Sequence, residues 1–306
     1  MTIIGTATSA FYDRSKANLT GLRKQAEALQ QQLGRGEKLG RSSDAPVTAS
    51  RLRALMRADR LGGVDAANAN RASVDLGRAD AALQEFATTI TRAKELATQA
   101  ANGTLTPQQR AAIGTELAQM HGNLVSLANS RNSAGQALFG GDAPGNAYVL
   151  DAAGNASYIG SGSAGQLDLG DGQSVSRGLT GPEFLDFSVN GNPTNLLAVV
   201  KSLGDALQGG VADPQGAASD ALGVLDAALE SVTTSETIVG TRLAWIDQSI
   251  ERHTELSTMR AEEKAEIGGT DIGETVAELQ QIMLVLEASQ ASFAKLANLS
   301  LFDQLR

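Results

Sequence analysis

Few residues in this chain of 306 are of types, and at spacings, that could do chemistry. The stretch GSGSAG at residues 160–165 matches the G-x-G-x-x-G pattern of dinucleotide-binding loops. In such a site a helix begins directly after the glycines, and its N-terminus holds the pyrophosphate. The residues that follow here, QLDLGDG, read instead as a strand and a tight turn. The pattern therefore favours a glycine-rich β-turn over a cofactor site.

The remaining polar candidates do not form a recognisable metal or catalytic site. His121 and His253 are the only histidines, and His253 has Glu255 nearby but no H-E-x-x-H zinc motif. Asp168 and Asp171 flank a turn without the spacing of a calcium loop. Since the chain has no cysteine, thiol catalysis and cysteine-bound metals are excluded. We predict no catalytic, cofactor-binding or metal-binding residues, no cofactor and no enzymatic activity.

The composition favours long helices with an aliphatic core. Hydrophobic residues make up 42% of the chain, but aromatic residues only 4%. The net charge of −9 argues against nucleic acid as a partner, because a surface that tracks phosphates needs an excess of basic residues. The N-terminus lacks the basic, apolar and small-residue regions of a cleavable signal peptide. The sequence contains no run of 18 apolar residues, the length that would predict a helix spanning a membrane.

The spacing of prolines and apolar residues predicts where the long helices run. Proline costs about 3 kcal/mol inside a helix, and none occurs between residues 47 and 106 or after residue 214. Within these gaps apolar residues recur every seven positions, which is typical of helices packed along a seam. The first gap has Leu76, Leu83, Ile90 and Ala97; the second has Leu222, Leu229, Glu236, Leu243 and Ile250, with Leu225, Val232, Val239 and Ile246 at the intervening positions.

Capping residues predict the helix ends. Thr106, followed by proline and then Gln109, forms a capping box that opens a helix running to about residue 134. Asp213 before a proline opens a helix that runs to about residue 266, and Asp271 opens the last helix. Residues 140–192 differ, because glycine-rich turns there separate short alternating runs such as AYVL, ASYI, QLDL and QSVS. This pattern predicts a small antiparallel β-domain inserted among the helices.

Both ends of the chain predict helices that pair with each other. The first 46 residues hold seven basic and four acidic residues, whereas residues 271–306 hold two basic and five acidic ones. The seam predicted near the N-terminus is Leu19, Leu22, Ala26, Leu29 and Leu33, and the seam predicted near the C-terminus is Ile272, Val276, Leu279, Met283, Leu286, Gln290, Phe293 and Ala297.

One partner helix cannot cover the whole apolar surface of the last helix. Ile282, Val285 and Leu296 lie beside the seam and widen the apolar face. We therefore expect the termini to assemble with other copies of the chain. Gln290 in the seam has two interpretations: a buried polar residue that sets the register, or a seam frame placed slightly wrongly.

Several stretches resemble the flagellin superfamily, and within it the hook-associated members. RSSDAPVTAS at residues 41–50 is similar to the Ser-Asp-Asp-Pro signature after the first helix, with Ala45 in place of the second Asp. Residues 79–110 resemble the core helix, and LANSRNSAGQALFGG at residues 127–141 resembles the run that closes it. Residues 158–187 are similar to the middle domain of the hook-associated members, and the closing LANLSLFDQL resembles the superfamily terminus.

The resemblance implies a structural protein that joins hook to filament in the bacterial flagellum. It implies export without a cleavable signal, a position outside the cell in the flagellum, and assembly into a tubular ring layer. The implied partners are other copies of the chain, hook protein or a neighbouring hook-associated protein, flagellin, and a flagellar export chaperone. The chaperone would hold the face formed by Ile282, Leu286, Phe293 and Leu296. Two alternatives stay open, a short filament-forming flagellin and a flagellin-like surface protein that binds a ligand.

The predicted fold is mainly α, a long antiparallel helical rod with paired terminal helices and a small inserted antiparallel β-domain. Residues 1–45 and 270–306 are predicted to form the paired assembly helices. Residues 46–139 and 193–269 are predicted to form the long-helix domain, and residues 140–192 an outward β-domain.

Overall fold

The computed structural model describes residues 2–38, 43 and 45–303. The chain is mainly helical, with short strands grouped in its middle, as the sequence predicts. The long helices are α1 (Thr2–Arg35), α2 (Pro46–Ala100), α3 (Pro107–Ala128), α6 (Pro214–Gly268) and α7 (Ile272–Asp303). The strands are β1 (Tyr148–Leu150), β2 (Ala156–Tyr158), β3 (Gln166–Gly170), β4 (Gln173–Ser176), β5 (Asp186–Val189) and β6 (Asn192–Asn195). The short helices are α4 (Gly181–Leu185) and α5 (Leu196–Asp205), and a π-helical turn, Ala206–Gly210, follows α5.

The chain divides into two compact units, and α2 and α6 each contribute to both. The terminal unit comprises Met1–Arg60 and Leu256–Arg306. The central unit comprises Leu61–Glu255 and contains α3, α4, α5 and all six strands.

The central unit holds the main hydrophobic core. The predicted seam residues Leu76, Leu83, Ile90 and Ala97 of α2 are fully buried. In α6, Leu225, Val232, Val239 and Ile246 are fully buried, and the predicted Leu222, Leu229, Leu243 and Ile250 pack half-buried against the core. Small residues one position earlier are more deeply buried, namely Ala221, Ala228, Ser235 and Ser249. Small side chains let neighbouring backbones approach, so the larger residues beside them stay half-exposed.

Three phenylalanines from separate elements meet at the centre of this core. Phe86 of α2, Phe139 and Phe184 of α4 are all fully buried. The ring centroids of Phe86 and Phe184 lie 5.2 Å apart, and those of Phe139 and Phe184 lie 4.8 Å apart. Tilted and edge-on contacts of this kind add stability beyond the area that the rings bury.

Helix α3 begins as predicted and ends earlier than predicted. The Thr106 hydroxyl accepts from the Gln109 backbone, and the Gln109 side chain accepts from the Thr106 backbone, which completes the capping box. The helix ends at Ala128 instead of about residue 134. The reason is Asn129, whose side-chain oxygen accepts from the backbone N–H groups of residues 147 and 148 at 2.9 Å. This oxygen therefore ties the end of α3 to the first hairpin.

Close packing holds α5 against α3. A Cβ added to Gly114 of α3 would lie 2.7 Å from the carbonyl oxygen of Gly204 in α5, so only glycine fits at this crossing.

The strands form three separate antiparallel hairpins, β1–β2, β3–β4 and β5–β6. The turns contain residues with a positive φ, that is, a left-handed backbone conformation. These are Asp171 and Gly172 in the second hairpin and Asn190 and Gly191 in the third. This backbone geometry matches the twist of paired strands, and it is why glycine and asparagine occur there.

Candidate assembly surface

The terminal unit pairs α1 with α7, as the sequence predicts. At one end, Lys38 N–H donates to the Gly268 carbonyl at 2.8 Å and Thr270 N–H donates to the Gly36 carbonyl at 3.1 Å. Further along, the rings of Tyr12 and Phe293 meet edge to face with centroids 5.4 Å apart. The start of α7 therefore lies beside the end of α1, and the two helices run antiparallel.

The face of α1 toward this pair follows the predicted spacing of three and four residues. Ala26 and Leu29 are buried, and the other members are half-buried. The full set is Tyr12, Ser15, Leu19, Leu22, Ala26, Leu29 and Leu33.

The face of α7 toward the pair differs from the predicted seam. Val276, Leu279, Leu286 and Phe293 are half-buried, in agreement with the predicted frame. Ile272 is 67% exposed and Met283 is 53% exposed, so the prediction that they lie in this seam is wrong. Gln290 is also exposed, which favours the interpretation that the frame was misplaced. Thr275, Ile282 and Ser289 occupy the inward positions instead, and the side chain of Leu296 falls outside what the structure describes.

The exposed surface of α7 carries several large apolar residues among polar ones. We call it the outer face of α7; it consists of Ile272, Gln280, Met283, Leu284, Val285 and Glu287. Leu284, at its centre, is 68% exposed, and Val285 is 43% exposed. Exposed apolar residues grouped on one helix face are typical of a surface that binds another protein.

The terminal unit buries little of its own apolar surface. Among its described residues, the buried hydrophobic side chains are Ala26, Leu29, Ala49 and Leu55, which are 5% to 9% exposed, and none of them belongs to α7. The core cluster of the central unit, by contrast, draws on α2, α3, α5 and α6 together. The terminal unit thus has few of the buried contacts that stabilise a helical domain in isolation.

Ion pairs join the start of α2 to the end of α6 within the terminal unit. Arg51 donates to both carboxylate oxygens of Glu263, at 2.5 and 2.9 Å. Asp59 accepts from Lys264 and, at 2.9 Å, from Arg260. The hydrogen bond from Lys264 lowers the pKa of Asp59, and Arg260 lowers it further.

The glycines of the GSGSAG stretch have structural roles. A Cβ on Gly160 would lie 2.4 Å from the Tyr158 hydroxyl, so glycine is needed where that ring packs. Gly165 has a φ of +63°, and a Cβ there would meet the Asp142 carboxylate at 2.7 Å. Strand β3 begins at the next residue, so this loop does not lead into the helix N-terminus that a dinucleotide site requires.

The two histidines serve the packing of the central unit. His121 is buried, and burial lowers its pKa, with the charge of Lys201 lowering it further and Asp205 opposing the shift. His253 donates from Nε2 to the Leu169 carbonyl at 2.7 Å and so holds β3 against α6. In the described part of the chain, no three His, Asp or Glu side chains form a group that could hold a metal ion. Among the same residues, no helix is long and apolar enough to cross a membrane.

Over most of α1, α2 and α3, the sequence is similar to bacterial flagellins. Residues 7–143 match the family model described as the bacterial flagellin N-terminal helical region. Among flagellin-like proteins, the chain resembles the hook-associated ones. It is 23% identical to the flagellar hook-associated protein 3 of Escherichia coli K12, over 97% of this chain and 98% of that protein.

Solved structures of hook-associated proteins share the fold. The hook-associated protein 3 of Legionella pneumophila superposes with a TM-score of 0.63, at 12% identity, over 71% of this chain and 98% of that one. The flagellar junction protein from the same organism superposes with a TM-score of 0.58, at 13% identity, over 71% of this chain and 99% of that one.

Proposed function

We propose that this chain is a structural component of the bacterial flagellum that joins the hook to the filament. The observation that carries the proposal is the outer face of α7, where Met283, Leu284 and Val285 are exposed in a unit whose described residues include few buried hydrophobic side chains. A surface of this kind gains stability when a neighbouring subunit covers it. The similarity to hook-associated protein 3 over 97% of this chain supports an assembly in which such a neighbour is present.

In this role the chain acts through contacts and not through catalysis. Copies of the chain form a tubular ring layer, with hook protein or another hook-associated protein on one side and flagellin on the other. The central unit, with its own complete core, keeps its fold while the terminal unit engages its neighbours. The chain leaves the cell through the flagellar export route without a cleavable signal, and an export chaperone holds α7 beforehand.

Deleting the gene tests this proposal. Cells without the chain should build hooks that carry no filament, and re-expression of the chain should restore filaments. Re-expression of the Leu284→Asp variant should not restore filaments, because a carboxylate at the centre of the outer face of α7 would be costly to bury. Filaments of normal length on cells that lack the chain would overturn the proposal.

A further inference from the structure

The first turns of α2 carry a basic stripe on the surface of the terminal unit. Arg53, Arg57 and Arg60 are exposed and follow one another at intervals of four and three residues, so they share one side of the helix. This side points away from Leu55, which is buried. Within residues 2–38, 43 and 45–303, no ion pair involves these three arginines, whereas Arg51 is occupied by Glu263.

A matching acidic pair lies at the edge of the outer face of α7. Glu274 and Glu278 are exposed and one helical turn apart, on the flank that continues through Gln281 to Val285. Neither glutamate forms an ion pair with any residue that the structure describes. Two carboxylates one turn apart have the same spacing, on the order of 6 Å along the axis, as the guanidinium groups of Arg53 and Arg57.

We propose that Arg53 and Arg57 of one copy dock on Glu274 and Glu278 of a second copy, which brings the start of α2 alongside the outer face of α7. This inference rests on the proposed function, because a ring of identical subunits repeats each segment beside its neighbour. Opposite charges favour this pairing, and like charges disfavour the contact of α2 with α2 or of α7 with α7. The ion pairs thus select the neighbour and the register, while Leu284 and Val285 supply apolar area.

Crosslinking tests whether the contact forms between copies. The chain has no cysteine, so Arg57→Cys in one copy and Glu278→Cys in another introduce the only two thiols. When the two variants are expressed together, a short bismaleimide should link them into a dimer in the hook fraction. Arg78→Cys with Glu278→Cys is the matched control, since Arg78 is an exposed arginine of α2 in the central unit. Equal crosslinking in the control, or none in either pair, would overturn the contact.

Charge reversal tests whether the pairing drives assembly. Arg53→Glu with Arg57→Glu should lower the amount of protein on isolated hooks by at least roughly tenfold and leave the exported protein in the medium. Adding Glu274→Arg and Glu278→Arg to the same chain should restore assembly, whereas Arg71→Glu with Arg78→Glu should have little effect. If the chain with all four substitutions stays unassembled, or if the control pair of substitutions lowers assembly equally, the proposed contact is wrong. The proposed function is judged separately, by whether the unaltered chain lies at the junction.

Discussion

Truncating Leu284 should weaken assembly about twice as much as it weakens the folded monomer. Leucine to alanine removes three carbons, which corresponds to about 2.4 kcal/mol for a fully buried side chain at ~0.8 kcal/mol per carbon. Leu284 is 68% exposed, so roughly two thirds of this, about 1.6 kcal/mol, is gained only when a neighbour covers it. At 1.4 kcal/mol per factor of ten, Leu284→Ala should weaken each subunit contact about 15-fold.

Leu150→Ala is the matched control for this change. Leu150 lies in β1 of the central unit and is 50% exposed, so the same truncation should cost the monomer at least as much stability. It should leave assembly unchanged, because it lies outside the outer face of α7. The assay adds purified protein to hook–basal bodies isolated from cells without the chain and measures, by sedimentation, the concentration at half-saturation. A shift of less than about threefold for Leu284→Ala, or an equal shift for Leu150→Ala, would refute the reasoning.

Three further perturbations test other parts of the structure. Gly114→Ala should lower the free energy of unfolding by about 1–3 kcal/mol, because the added methyl group would clash with α5. Gly122 faces open space on the same helix, so Gly122→Ala should be neutral or slightly stabilising. Denaturant titration measures both effects. Because the pKa of His121 is lowered in the folded state, the free energy of unfolding should be highest above pH ~6.5 and should fall as the pH drops below this value. His121→Leu should remove this fall, which denaturant titration at several pH values measures. If the export chaperone separates α7 from α1, Phe293→Ala should weaken chaperone binding by more than ~1 kcal/mol, measured by calorimetric titration. A loss of binding seen only with Met283→Ala would instead place the chaperone on the outer face of α7.

Local signals in the sequence predict most of the element boundaries. The capping box at Thr106 and the Asp-Pro pair before α6 place helix starts correctly, because each supplies a specific partner for an otherwise unpaired backbone group. The turn at Asp171 is likewise read from residue types that accept a left-handed backbone. The end of α3 could not be read in this way, since Asn129 stops it through a contact with a hairpin 18 residues away.

The predicted seams missed the more buried residue at two places where it lies one position earlier in the chain. Ile282 is more buried than the predicted Met283, and Ala221 is more buried than the predicted Leu222. Size alone cannot decide this, because close-packed helices need small side chains at the points of nearest approach. For the same reason, the exposed apolar residues that now define the outer face of α7 were assigned in part to the inner seam.

Immunolabelling measures most directly where the chain lies in the flagellum. Antibodies against the central unit, with gold label, would be applied to purified hook–basal bodies with filaments attached and viewed by electron microscopy. We predict a thin band of label where the hook meets the filament. Label along the whole filament would contradict the junction role and identify the chain as a filament-forming flagellin.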